Sequence, residues 1–135
     1  MIQVNDFIGI PFKNGGREPD GVDCYGLVRL ILKERQSVDL PSLRYDDSFD
    51  CRAVSAELDS LFNRFGGEVY FEKVDKPSGG EVVILQHKGF PGHCGLMLDE
   101  LRFVHSLPGV GSVVSRLDDP VWKGKEEGFY RACSA

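Results

Sequence analysis

Cys24, His93 and His105 are the residues of this chain whose types could do covalent chemistry together. A thiol becomes a strong nucleophile when its pKa is lowered, and a helix N-terminus lowers it through unpaired N–H groups and partial positive charge. Cys24 has that address. Asp23 is a plausible N-cap for DCYGLVRLILKER, in which Cys24, Leu27, Val28 and Ile31 recur at helical spacing on one face. The thiolate also needs a base within hydrogen-bond reach, and histidine is the side chain that ordinarily titrates near neutrality. His87, His93 and His105 fall within nineteen residues of one another in the second half of the chain. His87 precedes Lys88-Gly89-Phe90 and reads as a solvated loop residue.

His93 and His105 lie in two strand-like segments, HCGLML and LRFVHS, joined by a short turn around Asp99. If Leu98, Asp99 and Glu100 form a three-residue loop, Met97 faces Leu101, Gly95 faces Phe103 and His93 faces His105, with both rings on one side of the sheet. A two-residue loop at Asp99-Glu100 would instead set Cys94 opposite His105 and send His93 to the other face. Spacing leaves both registers open. The first gives nucleophile, base and a second polar ring that orients the base, a papain-like order.

Periodicity supplies the elements that must position these groups. Residues 11–22, PFKNGGREPDGV, hold two prolines and three glycines among polar residues and read as a loop before the Cys24 helix. Asp50 could cap a second helix, whose apolar stripe is Val54, Leu58, Leu61, Phe62 and Phe65, closed by Gly66-Gly67. Beyond it come EVYFEKV, EVVILQH, HCGLML, LRFVHSL, GSVVSRL and GFYRAC, separated by Pro-Ser-Gly-Gly, Phe-Pro-Gly, Asp-Glu and Pro-Gly, which gives about five or six strands. Helices first and strands later, without βαβ alternation, predict an α+β fold with N-terminal helices packed on an antiparallel sheet. The 135 residues show no repeat and no linker, so residues 1–135 read as one domain.

Composition narrows the function classes. With 41% hydrophobic and 27% charged residues the chain is neither disordered nor a fibrous rod. A net charge of -5 argues against a nucleic-acid partner. No apolar run is long enough for membrane insertion, and MIQVNDFIGIPFKNGG lacks the basic and apolar regions of an export signal, so synthesis in the cytoplasm is expected. The four cysteines, at 24, 51, 94 and 133, form no C-x-x-C pair and read as reduced thiols, with core packing the default for Cys51, Cys94 and Cys133. Cys24, His93 and His105 could together ligate zinc, but they lack closely spaced ligand pairs, and neither metal nor cofactor is expected. Gly15-Gly16 and Gly79-Gly80 read as turns, since neither has a phosphate-loop context.

PFKNGGREPDGVDCYGLVRLI resembles the nucleophile segment of the NlpC family of papain-like cell-wall cysteine peptidases through Pro11, Gly15, Gly16, Asp23, Cys24, Gly26, Leu27 and Val28. GGEVVIL followed by HCGLML resembles the second block of that family, and FVHS the third. The resemblance covers nearly the whole chain. It implies Cys24 as nucleophile, His93 as general base and His105 as the third, polar member of a triad. It also implies hydrolysis of peptidoglycan stem peptides, commonly between D-glutamate and a diamino acid, with Asp23, Tyr25 and Phe12 around the nucleophile and substrate. Tyr25, the aromatic residue after Cys24, together with an insertion carrying Leu40-Pro41 and the late Gly-Phe-Tyr-Arg, looks most like the phage-tail-associated subgroup, which implies tail proteins as partners and virion association as a setting.

Three positions depart from the family pattern. Phe12 stands where many members carry a tyrosine that assists at the oxyanion site, which leaves Tyr25 and Tyr45 as alternative donors. Glu81 replaces the usual aspartate, and Tyr25 the serine that helps some members recognise a free substrate amine. The competing readings are a tail-assembly or tail-tip module with little catalysis, and an acyl transferase that uses an acceptor other than water.

Overall fold

The computed structural model describes residues 4–41, 69–87 and 90–134. A 3-10 turn at Asn5–Phe7 leads to a small antiparallel pair, β1 (Arg17–Glu18) and β2 (Gly21–Val22), and then to α1 (Cys24–Gln36). The loop expected over residues 11–22 therefore contains a minimal hairpin, with Arg17 opposite Val22 and Glu18 opposite Gly21. Helix α1 starts where Asp23 accepts the N–H of Gly26 and ends where Ser37 turns left-handed, with φ of 55°. It is the one α-helix among the described residues. The second expected helix, around residues 54–65, lies outside them, as do Cys51 and Tyr45.

Six strands follow: β3 (Val69–Val74), β4 (Val82–His87), β5 (Phe90–Met97), β6 (Arg102–Leu107), β7 (Gly111–Arg116) and β8 (Glu126–Ser134). They form one sheet in the order β3-β8-β4-β5-β6-β7, every pair antiparallel. This is the α+β architecture that the pattern predicts. Two details differ. His87 ends β4 rather than sitting in a loop, and Phe-Pro-Gly, read as a separator, opens β5, because Phe90 pairs with His87 after a register shift in β4.

Strand alternation divides the core into two layers. Val82, Ile84, Cys94, Leu96, Val104 and Tyr130 pack with the Cys24, Leu27, Val28 and Ile31 face of α1. Val83, Leu85, Met97 and Phe103 pack with Trp122 from the β7–β8 connection. Glu81, just before β4, is buried and turns its carboxylate onto the Ser78 and Gly79 N–H groups at 2.7–3.1 Å, so it fastens the turn that feeds the sheet.

The β5–β6 register corrects both expected ones. Leu96 pairs with Val104 and Met97 with Phe103. Continuing that pairing sets Gly95 opposite His105 and His93 level with Leu107. His93 and His105 are thus diagonal neighbours and not opposite partners, yet they share a face, because the shift from the three-residue-loop register is two residues and parity survives. Asp99 causes the shift: its Oδ1 accepts the N–H groups of Leu101 at 2.9 Å and Arg102 at 2.7 Å, and Leu98 then closes the turn on the Arg102 carbonyl.

Candidate active site

The segment before Cys24 is built around the buried carboxylate of Asp23. Its Oδ1 takes the Gly26 N–H at 2.7 Å and the Arg17 guanidinium at 2.8 Å, and its Oδ2 takes the Gly15 N–H at 3.1 Å. Gly15 adopts φ of +73°, which suits glycine, and Gly16 passes so close to the Gly21 carbonyl that a Cβ would stand 2.3 Å from it. Gly26 has the same constraint against the Gly16 carbonyl, at 2.0 Å. These glycines let the β1–β2 hairpin lie on the first turn of α1. Asp23 is fully occupied in holding that turn, which fixes where Cys24 emerges.

Cys24 is buried and lies within hydrogen-bonding reach of the Cys94 thiol and the His93 ring, neighbours on β5. The Cys94 hydrogen bond and the bond and charge of His93 outweigh burial and hold the Cys24 thiol down to about 5. Cys94 itself is pushed well up, by burial and by the adjacent Cys24. Cys24 is therefore the thiolate of the pair and Cys94 its S–H donor. Core packing, the default for Cys94, describes its burial but misses this contact.

His93 Nε2 lies 2.8 Å from His105 Nδ1, and His105 Nε2 lies 2.8 Å from Ser115 Oγ. Burial first, and the charge of His93 second, lower the His105 pKa to about 3, so its ring stays neutral. Trp122 stacks on His93 with centroids 5.4 Å apart and an interplanar angle of 18°, and meets His105 edge-on at 5.1 Å. Gly95 makes the diagonal meeting sterically feasible, because a Cβ there would stand 3.0 Å from Phe103 Cδ2 and 3.2 Å from His105 Cβ.

The structure thus gathers Cys24, His93 and His105. Tyr25 is placed otherwise. Its ring is buried under Arg17, and its hydroxyl donates to the Pro41 carbonyl at 2.6 Å, so its one proton is not offered to an oxyanion or a substrate. Phe12 is half-buried and bridges Val22, two residues before Cys24. The N–H groups of Cys24 and Tyr25, first in α1, have no partner within the helix and are the available backbone donors beside the thiol. Among the described residues no group of three or more His, Cys, Asp or Glu side chains converges as a metal-ligand set. Arg17, Cys94, Ser115 and Trp122 belong to the site without being singled out by sequence.

Residues 9–131 match the NlpC/P60 family. The chain belongs to the NlpC/P60 family. It is similar to the murein DD-endopeptidase MepS/murein LD-carboxypeptidase of Escherichia coli, strain K12, with 24% identity over 91% of this chain and 56% of that protein. It is also similar to the gamma-DL-glutamyl hydrolase of Bacillus subtilis, strain 168, with 25% identity over 96% of this chain and 28% of that one. The chain spans about half the length of the first and less of the second. The crystal structure of the NlpC/p60 domain of the peptidoglycan hydrolase SagA shares the fold, with a TM-score of 0.59 and 21% identity over 93% of this chain and 88% of that one. In this NlpC/P60 chain Gly15, Gly16, Gly26 and Asp23 hold the turn before Cys24, and β5 and β6 supply the two rings.

Proposed function

We propose that this NlpC/P60 chain is a peptidoglycan endopeptidase that hydrolyses stem-peptide amide bonds through a thioester on Cys24. The observation that carries the reading is the helix-borne Cys24 in contact with His93, whose far nitrogen is held by His105. Because Nε2 of His93 is engaged by His105, Nδ1 is the nitrogen that serves Cys24.

The Cys24 thiolate attacks the amide carbon, and the Cys24 N–H at the positive end of α1 stabilises the oxyanion. As the C–N bond breaks, His93 gives its Nδ1 proton to the leaving amine and the acyl group stays on sulfur. Water then surrenders a proton to His93 and attacks the thioester; the C–S bond breaks, the thiolate–imidazolium pair is restored, and the carboxylic acid released ionises by giving its proton to solvent. Neutral His105 accepts from His93 Nε2–H throughout. No cofactor enters these steps.

Relatives named for murein and for gamma-DL-glutamyl hydrolysis support a cell-wall peptide as substrate, and we assign the bond between D-glutamate and a diamino acid. The reading extends to a phage-tail or prophage setting, on the strength of Tyr25 after the nucleophile, Leu40-Pro41 and Gly128-Phe129-Tyr130-Arg131. Mass spectrometry of fragments released from purified peptidoglycan tests the assignment. New amino termini on the diamino acid are expected. A protein that folds yet releases no peptide from any wall type, whereas a relative does, would overturn it.

A further inference from the structure

His105 has two ring nitrogens, and both are engaged, one by His93 and the other by Ser115. A neutral imidazole carries one proton, so one nitrogen donates and the other accepts. For His93 to hold a proton on each nitrogen while Cys24 is a thiolate, His93 Nε2–H must donate to His105 Nδ1. His105 must then carry its proton on Nε2, and that proton needs an acceptor. Ser115 Oγ, at 2.8 Å, is that acceptor.

The placement follows from the sheet. His105 pairs with Val113 and Phe103 with Ser115, so Ser115 is two residues along β7 from the partner of His105 and shares its face. Cys24, His93, His105 and Ser115 therefore form one line from the helix N-terminus across β5, β6 and β7. A carboxylate at the far end would draw positive charge onto His105 and weaken it as an acceptor for His93. A hydroxyl accepts the N–H and adds no charge.

We propose that Ser115 is a positioning residue that holds His105 in its Nε2–H tautomer and so keeps Nδ1 free to accept from His93. The inference deepens the peptidase reading and rests on it for its purpose, but its test needs no substrate. Threonine keeps the oxygen at this position, and valine has the same shape without it. Nitrogen-15 NMR of the histidine rings, with the rate of Cys24 alkylation against pH, compares wild type with Ser115→Thr and Ser115→Val.

Wild type and Ser115→Thr are expected to show His105 protonated on Nε2. Ser115→Val is expected to mix tautomers, to slow Cys24 alkylation at neutral pH about tenfold and to move its acid limb upward, the size of effect from losing one buried hydrogen bond. A wild-type His105 protonated on Nδ1 overturns the proposal even if Ser115→Val does not fold. So does a folded Ser115→Val with unchanged tautomer and alkylation profile. These effects without any wall cleavage would refute the peptidase reading and leave the role of Ser115 standing.

Discussion

Gly95 faces His105 across the β5–β6 pair so closely that a single methyl group at Gly95 would stand 3.2 Å from the His105 Cβ and 2.8 Å from the Val104 carbonyl. That missing side chain is the space through which His93 and His105 meet on the diagonal.

Gly95→Ala should therefore push β6 away and break the 2.8 Å contact between the rings. Overpacking of this kind costs about 1–3 kcal/mol, whereas activity, which depends on the ring contact, should fall much further. Urea denaturation beside peptide-release rates would show the split; equal small losses in both would count against it.

Cys24 should be the most reactive thiol of the chain, and its alkylation should decline only as pH falls through about 5, where the thiolate is protonated. Cys94→Ala removes the largest stabilising contact and should move that acid limb upward, with Cys94→Ser moving it less because a hydroxyl still donates. Iodoacetamide rates with peptide mapping measure both effects. A limb unmoved by Cys94→Ala would exclude the thiol–thiolate bond.

The fold was legible where its causes are local. Asp23 before an apolar stripe announces the N-cap of α1, and alternation with turn residues announces each strand of the sheet. Shared-face placement of His93 and His105 was legible as parity, but their register was not, because it depends on Asp99 accepting two N–H groups in its own turn. Arg17 under Asp23, Cys94 beside Cys24, Ser115 beyond His105 and Trp122 on His93 were hidden for a different reason. Each is brought in by packing between separate elements, and no spacing in the sequence encodes it.

Asp23→Ala strands the Gly26 and Gly15 N–H groups and leaves the Arg17 charge without its carboxylate. The side chains are almost fully enclosed, so the loss should be about 3 kcal/mol, more than a surface cap alone. Asp23→Asn should lose less by keeping the cap. Urea midpoints of the two variants would be compared with wild type, and equal midpoints for the two would show that the cap hydrogen bonds of Asp23 add nothing beyond its ion pair with Arg17.

His105 is held neutral down to about pH 3 in the fold, against 6.5 for a free ring. The unfolded chain thus binds a proton that the folded chain refuses, so stability is unaffected above 6.5 and falls as pH drops from there towards 3. His105→Asn should flatten that fall by up to one proton, and it should retain part of the activity, since an amide oxygen can accept from His93. His93→Asn should lose nearly all, because an amide is no base. Stability against pH and release rates for both variants give the comparison, and the reverse order of activity would make His105 the base.

The thioester on Cys24 is open to direct observation. Protein mixed with a stem peptide, quenched in acid within one turnover and weighed intact, should gain the mass of the acyl fragment, mapped to Cys24 and absent in Cys24→Ala, which should also release no peptide. Hydrolysis that persists in Cys24→Ala, or an adduct that maps to another residue, would contradict the account.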